Sequence, residues 1–247
     1  MSRISLPPKS HNPLVPARRK NRRRLIIAID GPAGSGKSST AKELAAVLKL
    51  PYIDTGAMYR SLTLLAVQRG VSLKDVASLA KIAHAMRIRF GRPDKAGAQK
   101  IYVNGKDVTK AIREPEITRN VFYIAREPRL RNEMVKKQRV FGNKEGAVME
   151  GRDIGSVVFP RADFKFYFDA TPRLRALRRQ RELAAVGKRV SLAQVLKEIE
   201  ERDRSDRERK DGALKVAKGA RVLDTTGLTI EATIDKILAI LGESVRS

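Results

Sequence analysis

Leu25-Ile-Ile-Ala-Ile-Asp-Gly-Pro-Ala-Gly-Ser-Gly-Lys-Ser-Ser-Thr40 decides how the chain is read. Leu25 to Ile29 are apolar without alternation, the pattern of a short strand covered on both faces of a parallel sheet. Gly31 through Ser38 then fits G-x-x-x-x-G-K-[ST] without a mismatch. Ala41, Leu44, Ala45 and Leu48 follow at the spacing of one helical face. Strand, glycine loop and helix together give the motif its mechanism. Glycines let the backbone curl so that N–H groups point inward, and the following helix adds its positive end. Lys37 can reach the outer phosphates, and the Ser38 hydroxyl can hold Mg²⁺. The stretch is a phosphate cradle.

The 247 residues allow one large α/β domain with room for an inserted subdomain. The absence of cysteine excludes disulfides, thiolate metal sites and a cysteine nucleophile. No apolar run is long enough to span a membrane, and a cytoplasmic monomer is expected. The net charge of +25 calls for a polyanionic partner. Residues 1–24 carry eight Lys/Arg and no acid, leaving 44 basic against 27 acidic residues beyond them. With Pro7, Pro8, Pro13, Pro16 and the cluster Arg18–Arg24, they read as a disordered basic N-terminal extension. A solvated tail is the commoner outcome of such a composition. Contact with nucleic acid is a minor reading, and so is organelle targeting, which the prolines oppose.

Further along, Pro51–Asp54 reads as a second strand, with a helix from near Ala57. Ser72-x-x-Asp75 is expected to open another helix as a capping box. From 86 to 113 the pattern alternates, and Asn104-Gly105 marks a hairpin, so a small antiparallel meander is inserted here. Two helices, Pro115–Arg126 and Pro128–Phe141, follow. Ala147–Glu150, Phe164–Phe168 and Val222–Asp224 complete the strands. Arg152 and Asp153 lie just past a strand's carboxyl end, where ligands bind in such sheets. In the helix from Ser191, the apolar stripe Leu192, Val195, Leu196, Ile199 continues in direction to Arg202, Asp206 and Arg209. Charges aimed inward need a partner, for which a bound anion and a hydroxyl would serve; a solvated helix tip is the equal alternative on spacing alone. His84 sits near a helix end and His11 in the tail, which argues against histidine chemistry.

GPAGSGKSS, YIDTGAMYR, EGRDIGSVVFP and IEERDRSDRERK, in this order and spacing, resemble the bacterial cytidylate kinase family from about Leu25 to the C-terminus. The resemblance implies a P-loop NTPase-type fold: a parallel five-stranded sheet with flanking helices, the antiparallel insert of 86–113 within an acceptor-binding subdomain, and a helical lid at about 178–210. It implies transfer of the γ-phosphoryl group of ATP to CMP or dCMP, with Mg²⁺. On this basis Gly31, Pro32, Ala33, Gly34, Ser35, Gly36, Lys37, Ser38 and Ser39 hold ATP. Thr55, Arg60, Arg131, Arg152, Asp153, Arg202, Asp206 and Arg209 line the acceptor side. Asp153 with Arg131 is the expected cytosine reader and Asp206 the sugar contact. Arg60, Arg152 and Arg209 would hold the acceptor phosphate. Lys37, Arg152, Arg178 and Arg202 are the expected catalytic cations. Two positions depart from the family pattern: Phe122, beside Tyr123, stands where a serine is usual, and Ser205 interrupts the Arg/Asp run.

The chemistry fits these residue types. A phosphate acceptor is already an anion and needs no base; the obstacle is repulsion between two polyanions, which arginine's planar fork offsets. A carboxylate can accept the exocyclic amine of cytosine, which uracil lacks. Two rivals stay open at this level. One is a kinase for another small acceptor, in which Asp54 or Asp153 would serve as base. The other is an ATP-switched nucleic-acid-binding protein, against which the aromatic content of 5% weighs.

Overall fold

The computed structural model describes residues 24–93, 99–185 and 187–246. The basic extension of 1–24 lies outside them apart from Arg24. Five strands form a parallel sheet: β1 (Ile26–Asp30), β2 (Tyr52–Asp54), β6 (Ala147–Gly151), β7 (Phe164–Asp169) and β8 (Arg221–Asp224). Their order is β2-β6-β1-β7-β8, which puts β1 at the centre. Every residue of β1 is buried, as its unalternated apolar run requires. Helices α1 (Lys37–Leu48), α2 (Thr55–Gln68), α5 (Pro128–Glu145), α6 (Pro172–Ala185), α7 (Leu192–Glu208) and α8 (Ile230–Arg246) surround it. Two apolar cores result. Ile27, Ile29, Leu44 and Phe168 pack with α8 through Ile234, Ile237 and Leu241, and Ala28, Ile53 and Met149 pack against Val135 and Ile154.

The alternating segment forms a separate antiparallel sheet, β3 (Ile88–Pro93), β4 (Gln99–Val103) and β5 (Lys106–Asp107). Asn104 and Gly105 have φ of 49° and 86°, the left-handed pair of a tight hairpin. The sheet rests on a third core shared by α2, α3 (Val76–Ala85), α4 (Pro115–Ala125) and α5.

The start of α3 differs from expectation. Asp75, not Ser72, is its cap: the Asp75 carboxylate accepts the Ser78 N–H at 3.0 Å, while the Ser72 hydroxyl accepts only from the Lys74 N–H at 3.3 Å. Either residue can cap a helix; Asp75 stands next to the first residue that turns helical.

The carboxyl ends of all five strands share one edge of the sheet, bringing together Asp30, Asp54, Gly151, Asp169 and Asp224. That edge is where a parallel sheet builds its sites, because each strand there hands over to a loop or helix start.

Candidate active site

The glycine loop leaves β1 at Asp30 and runs into α1. Lys37, the first residue of α1, is only 4% exposed. Its ammonium donates to the Pro32 carbonyl and, at 3.2 Å, to Ser35 Oγ. Burial and the nearby Arg152 pull its pKa down to about 7, against the pull of Glu150. Ser38 and Ser39 are exposed at the start of the helix. Outside the hollow of the loop, its carbonyls are tied down: Ala33 accepts from Arg175 at 3.0 Å and Ser35 from the Thr225 hydroxyl at 3.1 Å. Arg178 donates to the Thr225 carbonyl at 2.8 Å and lies beside Gly36 of the glycine loop.

The residues expected on the acceptor side come from α2, α5, the turn after β6, and α7 with the residue that follows it. Arg60 pairs with Asp54 at 2.9 Å, and Asp54 also caps α2 through the Ala57 N–H at 2.8 Å. Arg131, buried in α5, pairs with Asp153 and donates to the Ala125 carbonyl at 3.0 Å. Arg209 reaches the same carbonyl at 3.4 Å. Asp206 lies between two arginines, 2.7 Å from Arg152 Nε and 3.2 Å from Arg209 Nη2. Gly212, with φ of 64°, folds back over the Arg131–Asp153 pair, and a Cβ there would run into both side chains. Arg202 keeps exposed surface on α7. The protein crowded around it and the adjacent Arg152 bring its pKa down to about 10.

The two aspartates differ electrostatically. Burial raises Asp153 above the usual carboxylate range, because Arg131 and Arg209 only partly offset it. Burial acts on Asp206 in the same direction, yet Arg152, Arg209 and Arg202 outweigh it and hold Asp206 below that range. Arg152 in turn is raised by Asp206 in spite of its own burial.

Thr55 is buried and donates its hydroxyl to the Glu150 carbonyl at 2.7 Å. Phe122 and Tyr123 are half exposed and stack on each other with ring centroids 3.9 Å apart.

Four further residues belong to this edge and were not singled out from sequence. Glu150, at the end of β6, is buried and accepts from the Tyr52 hydroxyl at 2.6 Å; burial and the neighbouring Asp54 raise its carboxyl above the usual range, with Lys37, Ser38 and Tyr52 offsetting only part of this. Its place directly before Gly151-Arg152-Asp153 was the available signal. Asp30 accepts the N–H groups of Ile154 and Gly155 at 2.8 and 2.7 Å and so fixes the turn that carries Arg152 and Asp153. Burial pushes its carboxyl up to about 7, against the pull of those two bonds. Arg175 and Asp203 form a buried pair at 2.6 Å. Asp203, not Arg202, is the residue of its turn that continues the buried stripe, at four residues past Ile199.

A parallel sheet with this strand order, and a glycine loop closing on a buried lysine at the carboxyl end of its central strand, define a P-loop NTPase-type α/β protein. Residues 27–243 match the family described as cytidylate kinase. A cytidylate kinase of Anoxybacillus flavithermus is 44% identical over 223 residues, covering 90% of this chain and 98% of that one. One of Syntrophotalea carbinolica is 44% identical over 221 residues, covering 90% and 93%. A bifunctional pantoate ligase/cytidylate kinase of a Synechococcus strain is 45% identical over 234 residues, and the chain spans only 43% of that longer relative's length. The chain belongs to the cytidylate kinase family.

Proposed function

We propose that the chain transfers the γ-phosphoryl group of ATP to CMP or dCMP, giving ADP and CDP or dCDP. The observation that carries this is geometric: Asp30, from which the glycine loop leaves β1, accepts the N–H groups of Ile154 and Gly155 at 2.8 and 2.7 Å and so sets the turn carrying Arg152 and Asp153 beside that loop. The two halves therefore face one cleft, as a reaction between two bound polyanions needs.

ATP lies along Gly31–Ser39 with its outer phosphates at Lys37. The acceptor phosphate is held by Arg60, Arg152 and Arg209, and the cytosine amine is read by Asp153, which Arg131 orients. Asp206 faces the sugar, since a carboxylate beside a phosphate would repel it. Arg178 and Arg202 add positive charge as charge spreads over the transferring group. The acceptor is already an anion, so no side chain has to remove a proton.

The donor set fits Mg²⁺: an exposed serine hydroxyl at the start of α1 and the Glu150 carboxylate beside it are hard oxygen ligands. Ser38 would hold the ion directly and Glu150 would orient it. When bound with ATP, it neutralises the β- and γ-phosphate oxygens.

Coupled ADP release with CMP, dCMP, UMP, AMP and no acceptor tests the reading. Turnover with CMP and dCMP well above the others is expected; equal turnover with all four, or with none, would overturn it.

A further inference from the structure

Arg175 lies in the first turn of α6 and is 2% exposed. Its guanidinium is divided among three elements. Nε donates to the Ala170 carbonyl at 3.0 Å, just past β7. Nη1 donates to the Ala33 carbonyl of the glycine loop at 3.0 Å. Nη2 meets Asp203 of α7 at 2.6 Å, and Asp203 is itself 2% exposed. None of the roles above falls to either residue.

The glycine loop is pressed onto this arginine. Gly34 follows Ala33 with φ of 74°, and a Cβ there would lie 2.9 Å from the Arg175 carbonyl oxygen and 3.0 Å from the Arg175 Cβ. The site thus excludes a side chain on the face of the loop that touches α6. A trans peptide is planar, with its C=O and N–H pointing to opposite sides. Anchoring the Ala33 carbonyl on Arg175 therefore turns the Gly34 N–H away from α6, into the hollow that ends at Lys37. If that peptide rotated, the hollow would lose a donor and gain a carbonyl dipole of the wrong sign for a phosphate.

We propose that Arg175 is a positioning residue for the ATP site, fixing the Ala33–Gly34 peptide so that its N–H addresses the phosphates. Asp203 keeps the fork turned toward the loop. It sits on α7 next to Arg202 and one turn before Asp206, so the ATP cradle takes its set from the helix that carries acceptor-side residues. Lysine cannot replace Arg175, because a point charge cannot serve three acceptors in three directions. The inference rests on the reading that ATP occupies the glycine loop.

The test uses Arg175→Lys and Asp203→Asn in the full chain, with thermal melting to establish folding and calorimetric titration of ATP and CMP separately. Arg175→Lys is expected to weaken ATP binding about tenfold, the worth of one charge-assisted hydrogen bond, while CMP affinity moves less than about twofold. Asp203→Asn keeps an oxygen acceptor for Arg175 and is expected to weaken ATP about threefold in the same direction. A merely structural strut would instead weaken both nucleotides together. Equal losses, or a folded Arg175→Lys that binds ATP like the native chain, overturn the proposal. Should Arg175→Lys fail to fold, Asp203→Asn decides alone: unchanged ATP affinity, or a loss that falls on CMP, overturns it. Lys37→Ala, assayed alongside, separates the two readings. Lost transfer in Lys37→Ala with intact ATP affinity in Arg175→Lys sinks the positioning role only. Retained transfer in Lys37→Ala sinks the assignment of ATP to the loop, and this inference with it.

Discussion

The two sides of the cleft are built in opposite ways. The glycine loop, where ATP is proposed to bind, is one contiguous stretch of backbone, and its cation, Lys37, rests on its own loop through Pro32 and Ser35. The proposed acceptor side is made of side chains from α2, α5, the turn after β6 and α7, and four of its arginines are already matched to carboxylates: Arg60 to Asp54, Arg131 to Asp153, Arg152 and Arg209 to Asp206. A phosphate arriving at the loop competes only with uncharged acceptors, a carbonyl and a hydroxyl, for the Lys37 ammonium. A phosphate arriving opposite must share arginines with aspartates that stay in place, so charge there is preset and orientation is the property being bought. The loop should therefore respond to single changes with large losses in rate, and the acceptor side with smaller changes in selectivity.

The largest expected effect is on the loop. Lys37→Ala should lower kcat/KM by about 10²–10³-fold, the range for losing one preorganised charge at the transferring group, with the melting temperature held. Native turnover in this variant would erase the contrast between the two sides. Next comes Asp153→Asn, which keeps the shape but offers the cytosine amine a mixed donor and acceptor. The ratio of kcat/KM for CMP over UMP should fall about tenfold, and an unchanged ratio removes Asp153 from base recognition.

The pH response sharpens the comparison. Lys37 is depressed to about 7 in the free protein, so its charge is present below that pH and is lost as pH rises through it. ATP favours the charged lysine. Its affinity should weaken by up to about tenfold from pH 6 to pH 8, with proton uptake on binding at pH 8. Calorimetry in two buffers of different ionisation enthalpy measures that uptake; its absence would mean that the lysine is fully charged in the free protein. The smallest effect is expected for Asp206→Asn. Its ion pairs with Arg152 and Arg209 are mostly buried, but asparagine keeps an oxygen acceptor for them and so leaves neither arginine wholly unpaired. The KM for CMP should rise about fivefold while that for ATP stays put, and a change confined to ATP would contradict the division of the cleft.

How much of this could be read in advance follows from the same contrast. The loop was legible because its chemistry is carried by consecutive residues and needs only a strand before it and a helix after it. Arg152 and Asp153 were legible by position, just past a buried strand. The stripe on α7 was followed in the right direction but assigned to Arg202, whereas the residue that buries is Asp203; helical spacing allows a step of three or four, and only the arrival of Arg175 from α6 selects the second. Glu150 and Asp30 were visible as strand-end acids, yet their partners, Tyr52, Ile154 and Gly155, lie far away in sequence.

Sequence by itself determined the parallel core, the antiparallel sheet, the glycine loop between strand and helix and the chemical type of the opposing residues, because strand periodicity, glycine torsions and charge are properties of neighbouring residues. Tertiary structure alone decided which arginine meets which aspartate, and that α6 and α7 anchor the cradle from outside. Those pairings depend on where strands distant in the chain come to lie side by side, and buried charges accept only the partner that packing brings within hydrogen-bond reach.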